Sequence, residues 1–164
     1  MILEPSHPSR RALLLGLLTS VTAAACGGSS DTAPTTVDTS YITNLPLTLT
    51  DLTPGTGAEA AAGSRVVVDY YGWLYSSTGT ENKGALFDTS LQTGRTPFQF
   101  VLGAGTVIQG WEQGIPGMKV GGIRRLIIPP ALAYGSTGSS DGRIPPNATL
   151  VFEIRLNDIL VSAT

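Results

Sequence analysis

Val107-Ile108-Gln109-Gly110-Trp111 is the stretch on which the reading of this chain turns. It is apolar, narrows at Gly110 and ends on a large ring. A short helix over 107–114 would lay Trp111 flat as the floor of a cavity. Gly110 lowers its helix propensity, so tertiary packing must hold it. Pro116-Gly117 stops it. Downstream, Ala133-Tyr134-Gly135 and Ile144-Pro145-Pro146 supply wall and rim; upstream, Tyr70, Phe87-Asp88 and Phe98 close the other sides.

The segments around that helix read as strands. In 65–75, Val66, Val68 and Tyr70 share one face, while Val67, Asp69 and Tyr71 share the other. Asp69 marks its own face as the wetter one and turns Tyr70 inward. Leu45, Leu47 and Leu49 alternate with Thr48 and Thr50 in a first strand. Pro54-Gly55-Thr56-Gly57 is a turn, and 76–84 is a polar loop. Pro97 opens a strand with Phe98, Phe100 and Leu102 inward, ended by Gly103. Residues 123–128 form another, with Arg124 and Arg125 expected in solvent. A long loop over 129–146 carries Tyr134. The last strand, 149–159, alternates Leu150, Phe152, Ile154 and Leu156 with Val151, Glu153 and Arg155. The expectation is an α+β domain of five or six antiparallel strands wrapped around one short helix.

Composition narrows the chemistry. The chain has 164 residues, 13% of them charged, with 20 glycines and 11 prolines. That suits one strand- and loop-rich domain with extensions. A net charge of -2 argues against nucleic acid, which needs clustered Lys and Arg. The one histidine, His7, and the one cysteine, Cys26, both precede Gly27. Serine or cysteine catalysis through an imidazole and a histidine-ligated metal are therefore excluded from the domain. The reading calls for no metal and no cofactor.

The N-terminal part reads as an address. Arg10-Arg11 precede an uncharged, mostly apolar run over 12–25, too short to span a bilayer but suited to a secretory core. Residues 1–25 are expected to be a signal peptide cleaved before Cys26. Ala23-Ala24-Ala25-Cys26 resembles a bacterial lipobox in which Cys26 is lipidated, although Ala23 stands where a larger aliphatic is usual. The alternative is plain secretion with a spare thiol. Ser9-Arg10-Arg11-Ala12-Leu13-Leu14 also resembles a twin-arginine export signal. Residues 26–43, rich in Gly, Ser, Thr and Asp, are expected as a flexible tether, with the folded domain over 44–164. The protein would then be exported and held at the cell envelope by its anchor at Cys26.

The domain's motifs carry a resemblance. Val67-Val68-Asp69-Tyr70-Tyr71-Gly72, Phe87-Asp88-Thr89-Ser90, Pro97-Phe98-Gln99-Phe100, Val107-Ile108-Gln109-Gly110-Trp111-Glu112, Ala133-Tyr134-Gly135 and the run from Ile144-Pro145-Pro146 to Phe152 follow one another in order. Together they resemble the FKBP-type peptidyl-prolyl cis-trans isomerases over about 49–160. The resemblance implies a half-barrel sheet around a short helix and rotation of X–Pro bonds in a greasy pocket. It implies Trp111 as floor and Tyr70, Phe87, Phe98 and Phe152 as aromatic walls. Val107 and Ile108 would flank them, with Ile144 on a flap. Tyr134 and the Ile108 amide would donate hydrogen bonds, with Asp88 polar at the edge. Implied partners are proline-containing segments of folding proteins, and macrolide inhibitors. A binding module without turnover is the alternative.

Some positions depart from the family pattern. The 72–87 connection is longer than in the smallest members. Thr93 falls where an arginine often pairs with the aspartate, and Arg95 is displaced, which leaves an Asp88–Arg95 pair open. Arg143 replaces an aliphatic flap residue, and Ser139 or Ser140 stands where a histidine is frequent.

Overall fold

The computed structural model describes residues 45–160. The expected signal peptide, the Cys26 anchor and the 26–43 tether lie outside the described residues. The strands are β1 (Thr48–Thr53), β2 (Arg65–Tyr75), β3 (Lys83–Thr89), β4 (Phe98–Val101), β5 (Ile123–Ile128) and β6 (Leu150–Leu160). The helix α1 is Gln109–Gly114.

All pairings are antiparallel, in the order β1-β5-β6-β2-β3. β4 lies off this path on β2, pairing Val66 with Phe100 and Val68 with Phe98. β3 pairs with the other half of β2, from Tyr71 to Tyr75. One edge of β2 is thus shared end to end by two short strands. That split brings Phe87 and Phe98 to the same side of the sheet as Tyr70.

The inward faces follow the alternation. Val66, Val68, Leu126, Ile128, Leu150, Ile154 and Leu156 are fully buried. α1 lies against β5, and its two glycines make that approach close. A Cβ on Gly110 would strike the Ile128 side chain, and one on Gly114 would meet Leu126 at 2.7 Å. The residues that weaken the helix by propensity are the ones that let it pack. Glu112 fixes the approach to α1 by accepting hydrogen bonds from the Gly103 and Gly105 amides.

Several expectations are corrected. The helix begins at Gln109, with Val107 and Ile108 in extended backbone before it. β1 starts at Thr48 and is exposed throughout, as an edge strand can be. β3 starts at Lys83, inside the stretch read as loop, because Lys83 pairs with Tyr75 across the hairpin. The 129–146 loop contains a 3-10 turn, Pro130–Leu132. Arg124 and Arg125 are not solvated. Arg124 donates to Asp51 and to the carbonyls of Gly114 and Pro116. Arg125 is enclosed by Glu153 and Glu81.

Candidate active site

Five elements each contribute a ring to one hollow. Tyr70 comes from β2, Phe87 from β3, Phe98 from β4, Trp111 from α1 and Phe152 from β6. They enclose, with Asp88, Thr106, Val107, Ile108 and Tyr134, a cavity of about 370 Å³. That is at the small end of the range for ligand sites.

Trp111 is the floor, 4% exposed. Its ring meets Tyr70 and Phe152 edge-on, each at 5.2 Å between centroids, and Phe98 at 6.1 Å. Phe87 stands edge-on to Phe152 at 5.6 Å. These are the separations at which ring quadrupoles favour each other. The buried Trp111 Nε1 has no hydrogen-bond partner among the described residues. An orphaned donor of that kind costs about 1–3 kcal/mol.

Tyr70 is held from both sides of its own backbone. Its N–H donates to Ser90 Oγ, and its carbonyl accepts from Thr89 Oγ1 and the Ser90 amide. Its hydroxyl donates to Asp88 Oδ2 at 2.6 Å. Arg95 Nη1 donates to Asp88 Oδ1 at 2.9 Å, so the pair left open by the sequence is made. Both Asp88 oxygens are therefore engaged by side chains of the site. Burial, and then the bond to Asp88, push the Tyr70 hydroxyl pKa well above its ordinary value. Burial, followed by the Asp88 charge, raises that of Tyr134. Both remain protonated donors across the neutral range.

Two further donors of lining residues are unspent. None of the described residues hydrogen-bonds the Tyr134 hydroxyl or the Ile108 amide; the Ile108 carbonyl accepts from Trp111 and Glu112 in the first turn of α1. The Ile108 side chain and Val107 line the wall between floor and rim.

Of the residues singled out in the sequence, nine come together here: Tyr70, Phe87, Asp88, Phe98, Val107, Ile108, Trp111, Tyr134 and Phe152. Ile144 does not line this cavity. It is buried, with its backbone bonded to Ser139, and lines only a smaller cleft beside Phe87 and Tyr134. Thr106 joins the lining unforeseen, since a threonine in a glycine-rich loop carries no signal of its own. Phe100 is core, stacked on Phe98. Trp73 lies on the other face, stacked on Tyr71.

Comparison with known proteins agrees with this geometry. Residues 57–157 match the family model for FKBP-type peptidyl-prolyl cis-trans isomerase. An FK506-binding protein of Streptomyces anulatus is 52% identical over 106 residues, 65% of this chain and 80% of the relative. One from Neisseria meningitidis serogroup A is 47% identical over 110 residues, 67% of this chain and 93% of the relative. The crystal structure of AtFKBP13 superposes with a TM-score of 0.60 at 38% identity, over 73% of this chain and 98% of that one.

Proposed function

From the fact that the chain belongs to the FKBP-type peptidyl-prolyl cis-trans isomerase family, we propose that its aromatic cavity receives a proline ring and accelerates rotation about the X–Pro bond of exported proteins. The observation that carries this is the four-sided ring of Tyr70, Phe87, Phe98 and Phe152 over Trp111, with the donors of two further lining residues, Tyr134 and Ile108, left unspent.

Rotation about X–Pro is slow because the amide is conjugated, with a barrier of about 18–20 kcal/mol. No bond is broken, so neither nucleophile nor metal is needed. In the perpendicular state conjugation is lost and the carbonyl is less polar. Apolar walls favour that state over the planar, dipolar one, which prefers water. The Tyr134 hydroxyl and the Ile108 amide donate to carbonyl oxygens of the bound segment. Donors placed for the twisted geometry stabilise it selectively. Each ~1.4 kcal/mol so gained is tenfold in rate.

The relatives are named for binding FK506, and the same cavity here is proposed to take a macrolide. Cys26 is proposed to carry the lipid that holds the domain at the envelope; mass spectrometry of the mature N-terminus checks it, and an unmodified thiol there refutes it. The function is tested by isomerisation of a prolyl peptide with the wild type, Tyr134→Phe and Trp111→Leu. Acceleration that falls in both variants is expected. Binding of the peptide without acceleration would make the chain a holding module instead.

A further inference from the structure

The loop that carries Tyr134 is tied to itself. The Gly138 amide donates to the Tyr134 carbonyl, the Ser139 amide to the Ile144 carbonyl, and the Asn147 amide to the Gly135 carbonyl. Ser139 Oγ donates to Asp141 Oδ1 at 2.6 Å and accepts from the Ile144 amide at 2.9 Å. Asp141 in turn accepts from the Arg143 amide and, at 2.6 Å, from Arg143 Nε. One hydrogen bond among the described residues joins this knot to β3, across the smaller cleft that Phe87, Asp88, Tyr134 and Arg143 line beside the cavity. Arg143 Nη1 donates to the Phe87 carbonyl at 2.8 Å, and the same nitrogen lies 3.8 Å from Asp88 Oδ1.

The guanidinium thus has one nitrogen on each side of the gap. On one side is the loop that places Tyr134. On the other are Phe87 and Asp88, both lining residues. The planar fork of arginine suits such a bridge, and a lysine ammonium cannot span both acceptors in the same way. Arg143 is about half exposed, so the bridge is a light tie that thermal motion can open.

We propose that Arg143 is a positioning residue for the isomerisation: it latches the 134–144 loop to β3 and so fixes the Tyr134 hydroxyl relative to the Phe87–Asp88 wall. The inference rests on the proposed catalytic reading of the cavity. It acts on kcat, because a donor held in place matters most for the twisted amide.

The test uses the full chain, with Arg143→Leu and Arg143→Lys measured alone and in a Tyr134→Phe background. Arg143→Leu is expected to lower kcat about three- to tenfold with little change in KM, and Arg143→Lys to fall between it and the wild type. In the Tyr134→Phe background Arg143→Leu should cost nothing further, since the latch has lost what it positions. Amide exchange at Gly138 and Ile144 should quicken in Arg143→Leu, and this arm reads the latch even if the wild type fails to turn over. Unchanged exchange overturns the latch. So does unchanged kcat in an active enzyme, or a loss of equal size in both backgrounds. A wild type that does not accelerate the peptide, with faster exchange in Arg143→Leu, sinks the catalytic reading and with it the role on kcat.

Discussion

Gly72→Ala puts the architecture of the cavity to a direct test. Gly72 is buried in β2, between Tyr71 and Trp73, and pairs with Phe152 on β6 and Asp88 on β3. A Cβ there would lie 2.8 Å from Phe152 Cε1 and 2.8 Å from Phe87 Cζ. Carbon atoms pack at about 3.5–4.0 Å, so each ring must yield by roughly 0.7 Å. Neither is free to do so cheaply, because Phe152 also packs on Trp111 and Tyr70. Overpacking of this kind costs about 1–3 kcal/mol, against about 0.4–1 kcal/mol returned by stiffening the unfolded chain. The net is a loss of about 1–2 kcal/mol, or a Tm lower by roughly 5–10 °C. The displaced rings are two walls of the site, and misplacement approaching 1 Å can cost up to about a hundredfold in rate. A prolyl peptide assay well below both Tm values should therefore show kcat/KM down by about tenfold or more. Gly63→Ala is the control. Gly63 has φ +84 and open space around it, so alanine there strains the backbone without touching the cavity. Wild-type kcat/KM and Tm in Gly72→Ala would refute the reasoning.

Other outcomes follow from the same contacts. The isomerisation rate should be flat between about pH 5 and 9, since the domain has neither His nor Cys and both cavity tyrosines are shifted upward; a bell centred near neutrality would contradict it. Those upward shifts favour the protonated fold, so their stabilisation is complete below about pH 10 and is lost as pH rises through the folded-state values; urea melts above pH 10 should show it. Arg124→Met leaves the Gly114 and Pro116 carbonyls and Asp51 without their shared donor, and chemical denaturation should report a loss of about 2–3 kcal/mol. Asp141 is held at about 2 by hydrogen bonds from Ser139 and Arg143, so its stabilisation is present above 3.8 and lost as pH falls through about 2. The Tm difference between wild type and Asp141→Asn should shrink over that window.

What the sequence disclosed was what repeats locally. The alternation in β2 and the Ile/Leu pattern of β5 set their limits correctly because Val66, Val68 and Gly72 in one and Leu126 and Ile128 in the other are buried at alternate positions. The start of β3 was hidden because Lys83 and Glu81 look like loop residues until Glu153 and Arg125 are brought beside them. Arg124 was hidden for the same reason, its carboxylate partner being Asp51, in another strand. Position in a motif was no guarantee either. Ile144 has the right type for a pocket wall but is buried, lining only the smaller cleft beside Phe87 and Tyr134 that Arg143 shares. Gly72 belonged to a recognisable string, yet its physical reason, two rings lying against its missing side chain, needed the fold.

The floor of the site raises a question of sign that magnitudes can settle. Trp111 touches Tyr70, Phe98, Phe100 and Phe152, so core and cavity are one packing and most changes there harm both. Trp111→Phe is the exception. Phenylalanine removes the buried Nε1 that has no partner among the described residues, which returns about 1–3 kcal/mol. It also forfeits the transfer free energy of the lost ring carbons and leaves a void of a few tens of Å³, together about 2 kcal/mol. The terms nearly cancel, whereas Trp111→Leu loses more volume and the ring contacts, about 3 kcal/mol or more. The cavity responds differently, because a smaller ring recesses the floor beneath the proline. Trp111→Phe should therefore melt within a few degrees of the wild type while its KM for a prolyl peptide rises severalfold. A variant that loses stability in step with Trp111→Leu would mean that the indole nitrogen is satisfied in solution, and that the orphaned donor is not a cost the fold carries.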